Sequence, residues 1–276
     1  MKSAKFLRHY AIQSPVARLV FFALALNCLL VAGGAFADTP RGGEHYQPAN
    51  SAFGSNEHVV YQASWNGIPM ASAVVDAKAV WLEGKRCYQV TIQATTWKYL
   101  ELIWRMRDSI ESVFETETLH PRRFVFHQRE NRKRIDTTAV FDPANQKWAV
   151  KRQQGTRLKQ FEFVSPHTFD PISASYLART LDFEVGDTLQ LEVFGGKSRY
   201  LLQLDVVAAE RIALRAGEID AFKIIPRLQN LSRSGYAGRL REATVWISAD
   251  RMKRPLKLVS QVFLGAVTIE MVNGVR

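Results

Sequence analysis

Apolar and polar residues alternate along most of the chain in short runs that end at turn residues. The run His58–Trp65 alternates in this way and is followed directly by Asn66-Gly67. Asn-Gly is typical of two-residue hairpins, because both central residues of the favoured turn need a positive φ. Similar runs recur to the C-terminus and predict about fourteen strands. Since the connections between them are short, we expect the strands to be antiparallel.

One segment breaks this alternation and predicts a helix. Asp170 is a suitable N-cap, because its carboxylate can accept the free amide hydrogens of the first turn. Pro171 suits the first helical position, where a missing N–H costs nothing. A sheet of this length must curl to bury one face. The sequence therefore predicts a mainly β fold: a large antiparallel curved sheet or open β-barrel, with one helix at about 171–181 packed across it.

A second irregular segment runs from Thr96 to Arg105 and contains several aromatic residues. Its apolar residues recur at helical spacing, which predicts either a short helix or an apolar loop. One interpretation is a helix of the core. The other is the apolar rim of a cavity mouth, because barrel mouths are common ligand sites. On the second interpretation, the candidate ligand-binding residues are Trp97, Tyr99, Leu100, Ile103 and Trp104.

The N-terminus has the pattern of a secretory signal peptide. Four basic residues precede an apolar run at 19–30, and an A-x-A site follows at 35–37. The apolar run is short for a membrane span, which needs about 20 residues. We predict cleavage after Ala37 and a periplasmic protein, with a retained anchor as the alternative. Residues 38–56 are rich in Gly, Pro, Ser and Asn and predict a disordered lead, and 57–276 predict a single β domain.

Composition adds a strong basic charge to this picture. The chain carries 37 Lys and Arg against 26 Asp and Glu. The first 37 residues hold four of the basic residues and none of the acidic ones, so the net charge falls from +11 to +7 on cleavage. A basic exported protein tends to meet anionic lipid headgroups or glycans, and nucleic acid is not expected in that compartment.

The basic residues concentrate on consecutive predicted strands between 122 and 159. Neighbouring antiparallel strands place such residues side by side. One interpretation is a solvated face whose charge protects a sheet edge. The other is a patch that faces anionic groups, for which the candidate residues are Arg129, Arg132, Lys133, Arg134, Lys151 and Arg152.

Motifs for catalysis and metal binding are weak. Gly196-Lys197-Ser198 ends like a phosphate-binding loop but lies between two strand patterns, so it predicts a hairpin turn. The histidines lack the spacing of common metal pairs, and we expect no metal or other cofactor. Cys87 lies in an alternating strand and is expected to be a small buried residue.

Acidic residues cluster between 108 and 117. Glu111, Glu115 and Glu117 are predicted to share one strand face, either exposed or paired with a basic neighbouring strand. Paired carboxylates can also perform acid–base catalysis. A glycan hydrolase that uses Asp108 and Glu111 is therefore a remote alternative, although we assign no catalytic residue.

Three groups of residues are distinctive in their order and spacing. They are Tyr61-x-x-x-Trp65-x-Gly67-Ile68-x-x-Ala71, then Asp170-Pro171-x-Ser173-x-x-Tyr176-x-x-Arg179 with Gly186-Asp187, and finally Trp246-Ile247-Ser248-x-Asp250 with Arg254-Pro255. Together, over about 58–274, they resemble the exported bacterial family called domain of unknown function 3108. The resemblance implies a periplasmic β protein and no reaction. The layout also resembles that of periplasmic lipoprotein carriers, although in architecture alone.

These motif residues also have local structural roles that the sequence predicts. Ser248 and Asp250 can bond the amides of a turn. Arg179 lies near the predicted helix end, where a cation complements the helix dipole. We therefore expect the motif residues to specify the fold in preference to contacting a ligand.

The sequence as a whole predicts a non-enzymatic periplasmic envelope protein that binds an apolar or amphiphilic ligand, or an envelope partner, in or on a curved β-barrel. The expected partners are a lipid or amphiphile, an envelope protein or an anionic surface. No membrane span is expected after cleavage. The alternative is a fully packed structural scaffold that engages cell-wall or outer-membrane proteins.

Overall fold

The structure is a computed structural model that describes Pro48, Gly54 and residues 56–215, 217–231, 241–262 and 264–273. The predicted signal peptide, its cleavage site and most of the predicted lead lie outside these residues. Strand order begins at Asn56, close to the predicted start of the β domain.

Fifteen strands, one α-helix and one short 3-10 helix make up the described part of the chain. The strands are β1 Asn56–Trp65, β2 Ile68–Leu82, β3 Lys85–Thr96, β4 Arg107–Glu115, β5 Pro121–Glu130, β6 Lys133–Asp142, β7 Lys147–Gln154, β8 Arg157–Val164, β9 Thr168–Phe169, β10 Thr188–Phe194, β11 Arg199–Leu214, β12 Gly217–Asn230, β13 Arg241–Ser248, β14 Pro255–Gln261 and β15 Ala266–Asn273. The α-helix, α1, is Pro171–Thr180, and the 3-10 helix is Lys98–Leu100.

All fifteen strands form one sheet in the order β8-β7-β6-β5-β4-β3-β2-β1-β15-β14-β13-β12-β11-β10-β9. The first and last strands pair in its middle, where Ala63 lies opposite Ile269. The sheet is large, curved and unclosed, as predicted. The expectation of a wholly antiparallel sheet is wrong at one point, because β9 pairs with β10 in parallel. The pairings make β8 antiparallel to β10, and the turn after β8 reverses the chain, so β9 runs in the same direction as β10.

Side chains bring the two edges of the sheet together where the backbone ladder stops. The Phe163 ring on β8 lies 5.2 Å from the Phe194 ring on β10, and the Trp148 ring on β7 lies 6.1 Å from it. The Ser165 hydroxyl, just after β8, donates to Glu192 on β10 at 3.1 Å. The sheet is therefore an open barrel whose seam is filled by aromatic packing.

The first hairpin has the turn that its sequence predicts. Asn66 and Gly67 both have positive φ, at 47° and 83°. The Asn66 side chain also accepts a hydrogen bond from the Ala266 amide at 2.9 Å, which ties this turn to the start of β15. Gly265 has a φ of +85°, and a Cβ there would lie 1.9 Å from Asn66 Oδ1, so any other residue would be strained and would displace the Asn66 side chain from this bond.

Helix α1 begins where its sequence predicts. The Asp170 carboxylate accepts the amides of Ile172 at 2.8 Å and Ser173 at 3.1 Å, and the Ser173 hydroxyl lies within bonding distance of the Asp170 amide. The Ser112 hydroxyl on β4 donates to the same carboxylate at 2.7 Å. The helix ends at Thr180, one residue before the predicted end, and most of its residues are buried. The helix is therefore packed across the inside of the sheet, as predicted.

Large side chains from many strands fill the inner face around α1. Among those with almost no exposed surface are Trp148, Phe114, Phe124 and Phe194, together with Leu177 of α1 itself. Cys87 is also fully buried, which confirms its predicted role as a small core residue. Burial raises the pKa of its thiol.

The strand directions place the connections at two ends of the barrel. The turn 66–67, the segment 97–105 and the turns 131–132, 155–156 and 195–198 lie at one end, which we name the loop end. The turns 83–84, 116–120, 143–146 and 249–254 lie at the other, which we name the network end. The Gly196-Lys197-Ser198 segment is one of these hairpin turns, as predicted.

Candidate functional site

The segment between β3 and β4, residues 97–104, forms a compact loop at the loop end; we name it the aromatic loop. It contains a single 3-10 turn, in which the Leu100 amide donates to the Trp97 carbonyl at 2.9 Å. The Ile103 and Trp104 amides then donate to the Leu100 carbonyl. The interpretation of this segment as a core helix is wrong, because none of the residues in its 3-10 turn is buried.

Most of the apolar side chains of the aromatic loop point into solvent. The exposed fractions are 45% for Trp97, 56% for Tyr99, 97% for Leu102 and 68% for Ile103. Trp104 differs, since it packs against the barrel core. Of the five predicted ligand-binding residues, Trp97, Tyr99 and Ile103 are therefore exposed, whereas Leu100 and Trp104 are half-buried and support the loop from below.

Neighbouring turns brace the aromatic loop and extend its apolar surface. The Trp97 amide donates to the Met70 carbonyl at 2.9 Å, and the Tyr99 hydroxyl donates to the Pro69 carbonyl. Ile68, at the start of β2, is itself 56% exposed. The loop is therefore attached to the first hairpin, and the exposed apolar surface continues across both.

The turn between β5 and β6 brings basic residues to the same end. The Arg105 amide donates to Asn131 Oδ1 at 2.8 Å, and the Asn131 amide donates to the Arg105 carbonyl at 2.7 Å. These bonds place the end of the aromatic loop against the turn that carries Arg132. The structure thus joins two features that are more than twenty residues apart in sequence, the aromatic loop and part of the predicted anion-facing set.

The six predicted anion-facing residues do not form one surface. Arg132, Arg134 and Lys151 are exposed and have no ion-pair partner within the described part of the chain. Arg129 folds back onto Asp136 and backbone carbonyls, and Lys133 lies 3.5 Å from Glu130. Arg152 is on the inner face of β7 and donates to the Thr137 hydroxyl at 2.7 Å, whereas its neighbour Lys151 faces outward.

Two buried carboxyl groups lie on the inner face close to the aromatic loop. Asp108 on β4 is 2% exposed and Glu130 on β5 is 8% exposed. The Arg129 amide donates to Asp108 Oδ1, whereas Asp108 Oδ2 and Glu130 Oε1 have no hydrogen-bond partner among the described residues. Burial raises the pKa of Asp108 to about 7, and the Glu130 charge adds to this, while the Arg129 amide and Lys133 oppose it.

Replacing Asp108 by asparagine should therefore change how stability depends on pH. Between pH 3.8 and about 7 the folded wild type holds a proton that the unfolded chain has released, so its free energy of unfolding falls as the pH rises. Asp108→Asn removes this dependence. Its stability relative to the wild type should be higher at pH 8 than at pH 4 by roughly 2 to 4 kcal/mol. Urea unfolding of both proteins across this range would measure it, and parallel stability curves would contradict it.

The other end of the barrel holds a buried polar network built from the distinctive motif residues. Arg179 donates to Glu57 through both terminal nitrogens, at 2.9 and 2.8 Å, and through Nε to the Met252 carbonyl at 3.2 Å. The Tyr176 hydroxyl donates to Glu57 at 2.7 Å. The Tyr61 hydroxyl donates to the Pro255 carbonyl at 2.9 Å. The network joins α1 to β1 and to the turn before β14.

Electrostatics in this network favour the charged pair. Burial by itself would raise the pKa of Glu57, but the hydrogen bonds and charge of Arg179 outweigh it, and Tyr176 assists, so this pKa lies below its usual value. Burial opposes the charge on Arg179 as well, yet Glu57 raises its pKa above the usual value. The sequence predicts that Arg179 complements the helix dipole. In the structure its main role is to form this buried ion pair with Glu57.

A small cavity adjoins the network between α1 and the first three strands. Its volume is about 40 Å³, and its lining includes Glu57, Val90 and Tyr176. A water molecule needs roughly 10 to 15 Å³ of such volume, so the cavity has room for a few waters. Drug-sized ligands occupy pockets of about 300 to 1,000 Å³, and this cavity is far smaller.

The acidic residues of β4 do not form a catalytic pair. Asp108 faces the interior, whereas Glu111 faces outward and bonds to Gln89 and Arg123. Glu115 is held by Lys85 and Arg122, and Glu117 lies in the turn beyond the strand. The outward acids are therefore paired with basic residues of neighbouring strands, and the hydrolase arrangement of Asp108 with Glu111 is contradicted. Among the described residues no group of three or more His, Cys, Asp or Glu could hold a metal ion.

The profile of the family described as "Protein of unknown function (DUF3108)" matches residues 60–272. The chain belongs to this family. The match covers the two hairpins and the helix that carry the distinctive motifs, as the resemblance in sequence implied. No curated protein of known function is significantly similar to the chain in sequence. None of the helices in the described segments is long and apolar enough to cross a membrane.

Three solved structures match the chain at very low identity. A β-barrel-like protein of the domain of unknown function DUF1849 from Brucella abortus is 7% identical, with a TM-score of 0.52 over 79% of this chain and 96% of that one. A candidate lipoprotein from Parabacteroides distasonis is 8% identical, with a TM-score of 0.36 over 84% and 98%. A candidate exported protein with a YmcC-like fold from Bacteroides fragilis is 10% identical, with a TM-score of 0.31 over 80% and 95%. The first of these supports a β-barrel-like fold.

Three residues of the two sites escaped prediction from the sequence. Glu57 is the first residue of the predicted β domain and has no predicted role, although it is the partner of Arg179. Leu102 is the most exposed apolar residue of the aromatic loop but was not among the predicted ligand contacts. The sequence predicts Ile68 only as part of a hairpin motif. A polar residue just before the first alternating strand was the only signal for Glu57.

Proposed function

We propose that this protein is a non-enzymatic envelope protein, exported by a cleaved signal peptide, that binds amphiphilic molecules on the outside of its barrel at the aromatic loop. The observation that carries the proposal is the exposure of Trp97, Tyr99, Leu102 and Ile103 on one braced loop. Contiguous exposed apolar surface on a soluble protein usually marks an interaction site. The basic, Ala-x-Ala-bordered N-terminus supports the exported location.

The packing of the interior favours the outside of the barrel as the binding surface. Aromatic and aliphatic side chains fill the inner face, and the cavity beside α1 has a volume of only about 40 Å³. An acyl chain in the core would have to displace buried residues such as Phe114 or Leu177. The exposed loop needs no such change, because its apolar groups already face solvent.

Binding of a monomeric single-chain lysophospholipid tests this function. We expect the processed full-length protein to bind the lipid below its micelle concentration, with a change in tryptophan fluorescence. Leu102→Ser should weaken binding at least about fivefold, because it removes the most exposed apolar group. Trp81→Ser is the matched control, since Trp81 is 75% exposed at the network end. Equal affinity of the two variants would overturn the assignment of the loop.

A packed scaffold that engages an envelope protein is the second candidate, and the edge strand β8 favours it. Nearly all of β8 is exposed or half-exposed, and it pairs only with β7 among the described strands. An unpaired edge can accept an extended peptide as an added strand. A photo-crosslinker in place of Leu158, which is 49% exposed, should then capture a defined envelope protein in intact cells. Loss of that product on Gln160→Pro, with the fold intact, would support strand addition.

A further inference from the structure

We propose that the amphiphile at the aromatic loop is the surface of an anionic lipid membrane, against which the loop end of the barrel docks. This inference rests on the proposed function and names its partner. In the docked state the exposed apolar residues enter the boundary between headgroups and acyl chains, and the surrounding cations contact lipid phosphates.

The chemistry of the loop suits a membrane interface. Trp and Tyr are enriched where a bilayer meets water, because each has an apolar ring and a polar group. Trp97 and Tyr99 provide such rings, and Leu102 and Ile103 provide purely apolar side chains beside them. A peripheral protein of this kind binds through buried apolar area together with attraction to anionic lipids.

The shape of the loop favours a surface over a single small ligand. Leu102 is 97% exposed, so it stands at the tip of a projection and not in a groove. Small ligands prefer concave pockets that bury most of their area. A projecting apolar tip is instead shaped to enter a soft, extended surface.

The charges around the loop complement an anionic surface. Residues 97–107 and 128–136 contain seven Lys and Arg against two Glu and one Asp, a local net charge of +4. Lys98, Arg132 and Arg134 are exposed and form no ion pair within the described residues. Arg105 and Arg107 share the single carboxylate of Glu101. Basic residues near a membrane are attracted to acidic lipid headgroups.

Trp81, the exposed tryptophan at the network end, lacks the apolar loop and most of the unpaired cations that surround Trp97. No exposed apolar loop surrounds Trp81 among the described residues. Arg86, opposite it on β3, is an exposed cation, but the other two nearby cations are neutralised. Lys85 pairs with Glu115, and Arg122 pairs with both Glu115 and Glu83. Apolar exposure and excess positive charge thus coincide at the loop end, which gives docking a defined orientation.

The loop is also held in place before it meets a membrane. Trp97 and Tyr99 are bonded to Met70 and Pro69, and Arg105, the residue that follows the loop, is bonded through both backbone groups to Asn131. A prearranged loop loses less conformational entropy on binding than a free one. The same bonds keep the apolar side chains from folding back onto the barrel.

Co-sedimentation with vesicles tests the proposal on the processed full-length protein. We expect binding to vesicles of mixed phosphatidylcholine and phosphatidylglycerol, weak binding to phosphatidylcholine alone, and a loss of binding as salt is added. Ile103→Asp should weaken binding at least about tenfold, because a carboxylate resists entry into the interface. The double variant Arg132→Gln/Arg134→Gln should reduce the preference for anionic vesicles and leave the fold unchanged.

Val185→Asp is the matched control. Val185 is 57% exposed near the network end, against 68% for Ile103, so the substitution adds the same charge to a similarly exposed aliphatic position away from the loop. Equal loss of binding in Ile103→Asp and Val185→Asp would overturn the proposal. So would equal binding of the wild type to both kinds of vesicle.

The experiment separates this inference from the function on which it rests. Loop-dependent binding of monomeric lysophospholipid without vesicle binding would overturn membrane docking and leave the amphiphile-binding function standing. Absence of both would overturn both. An absence of vesicle binding together with a loop-dependent cross-link to an envelope protein would overturn docking in favour of a protein partner.

Discussion

Arg179→Leu should lower the free energy of unfolding by about 3 to 5 kcal/mol, because it leaves the Glu57 carboxylate buried without its cation. Leucine approximates the apolar part of the arginine side chain, so most of the loss comes from charge and hydrogen bonds. The Glu57 side chain is only 10% exposed and the Arg179 side chain only 5%. Solvent therefore cannot replace the lost partner of Glu57. Urea unfolding near neutral pH would measure the change.

Two further measurements separate the ion pair from general damage to the helix. The double variant Glu57→Leu/Arg179→Leu should be more stable than Arg179→Leu alone, because it removes the unpaired carboxylate. In Arg179→Leu, burial should raise the pKa of Glu57, so the deficit should shrink as the pH falls and the carboxylate becomes neutral. A deficit that is equal at all pH values, and that the second substitution worsens, would contradict this account.

Trp148→Ala should cost about 3 to 5 kcal/mol, the usual range for deleting a fully buried aromatic side chain. Trp148 is 0% exposed and its ring is stacked against Phe163 and packed against Phe141 and Phe194. Because Phe194 lies on β10, the loss affects the seam between the two halves of the barrel as well as β7. The free energy of unfolding and the local hydrogen exchange would both report it.

The seam makes this prediction more specific than a general core deletion. Amide protection in β8 and β10 should fall more than protection in β1 and β15, which lie in the middle of the sheet. Trp81→Ala provides the control, and as a surface change it should alter stability by less than about 0.5 kcal/mol. Uniform loss of protection across all strands would show that the seam is not held by Trp148.

Local chemistry accounts for the parts of the fold that the sequence predicts well. Alternation defines the strands, and the positive φ of Asn66 and Gly67 follows from residue type. Asp170 and Pro171 set the start of α1 for reasons confined to a few residues. Ser248 and Asp250 bond the amides of the turn before β14, as their spacing indicates. Each of these features depends on neighbours in the chain.

The sequence does not predict properties that depend on distant parts of the chain, such as the conformation and exposure of residues 97–104. The helical spacing of residues 97–104 indicates a helix only if another surface covers it. In the fold the segment spans the end of the barrel, where nothing among the described residues covers Trp97, Tyr99, Leu102 and Ile103, so it forms a single turn and stays exposed. The hydrophobic pattern is the same in both cases, and packing decides between them.

In the candidate sites, too, some features follow from the local sequence and others from contacts between distant residues. Composition and motif spacing marked the aromatic loop, the basic turns and Arg179 as distinctive. Which basic residues face solvent depends on the strand register, and register turns Arg152 inward while Lys151 points outward. The sequence could not place Glu57 beside Arg179, because 122 positions separate them. It could not place Asn131 against Arg105 either, because these are 26 positions apart.

The sequence by itself determined the class of fold, the main turns, the start of the helix and the family, because these follow from short-range conformational preferences and from local order. The tertiary structure alone decided that β1 pairs with β15, that aromatic side chains close the seam, and that apolar and basic surfaces meet at one end. These outcomes require contacts between residues far apart in the chain, and only the collapse of the sheet around α1 brings those residues together.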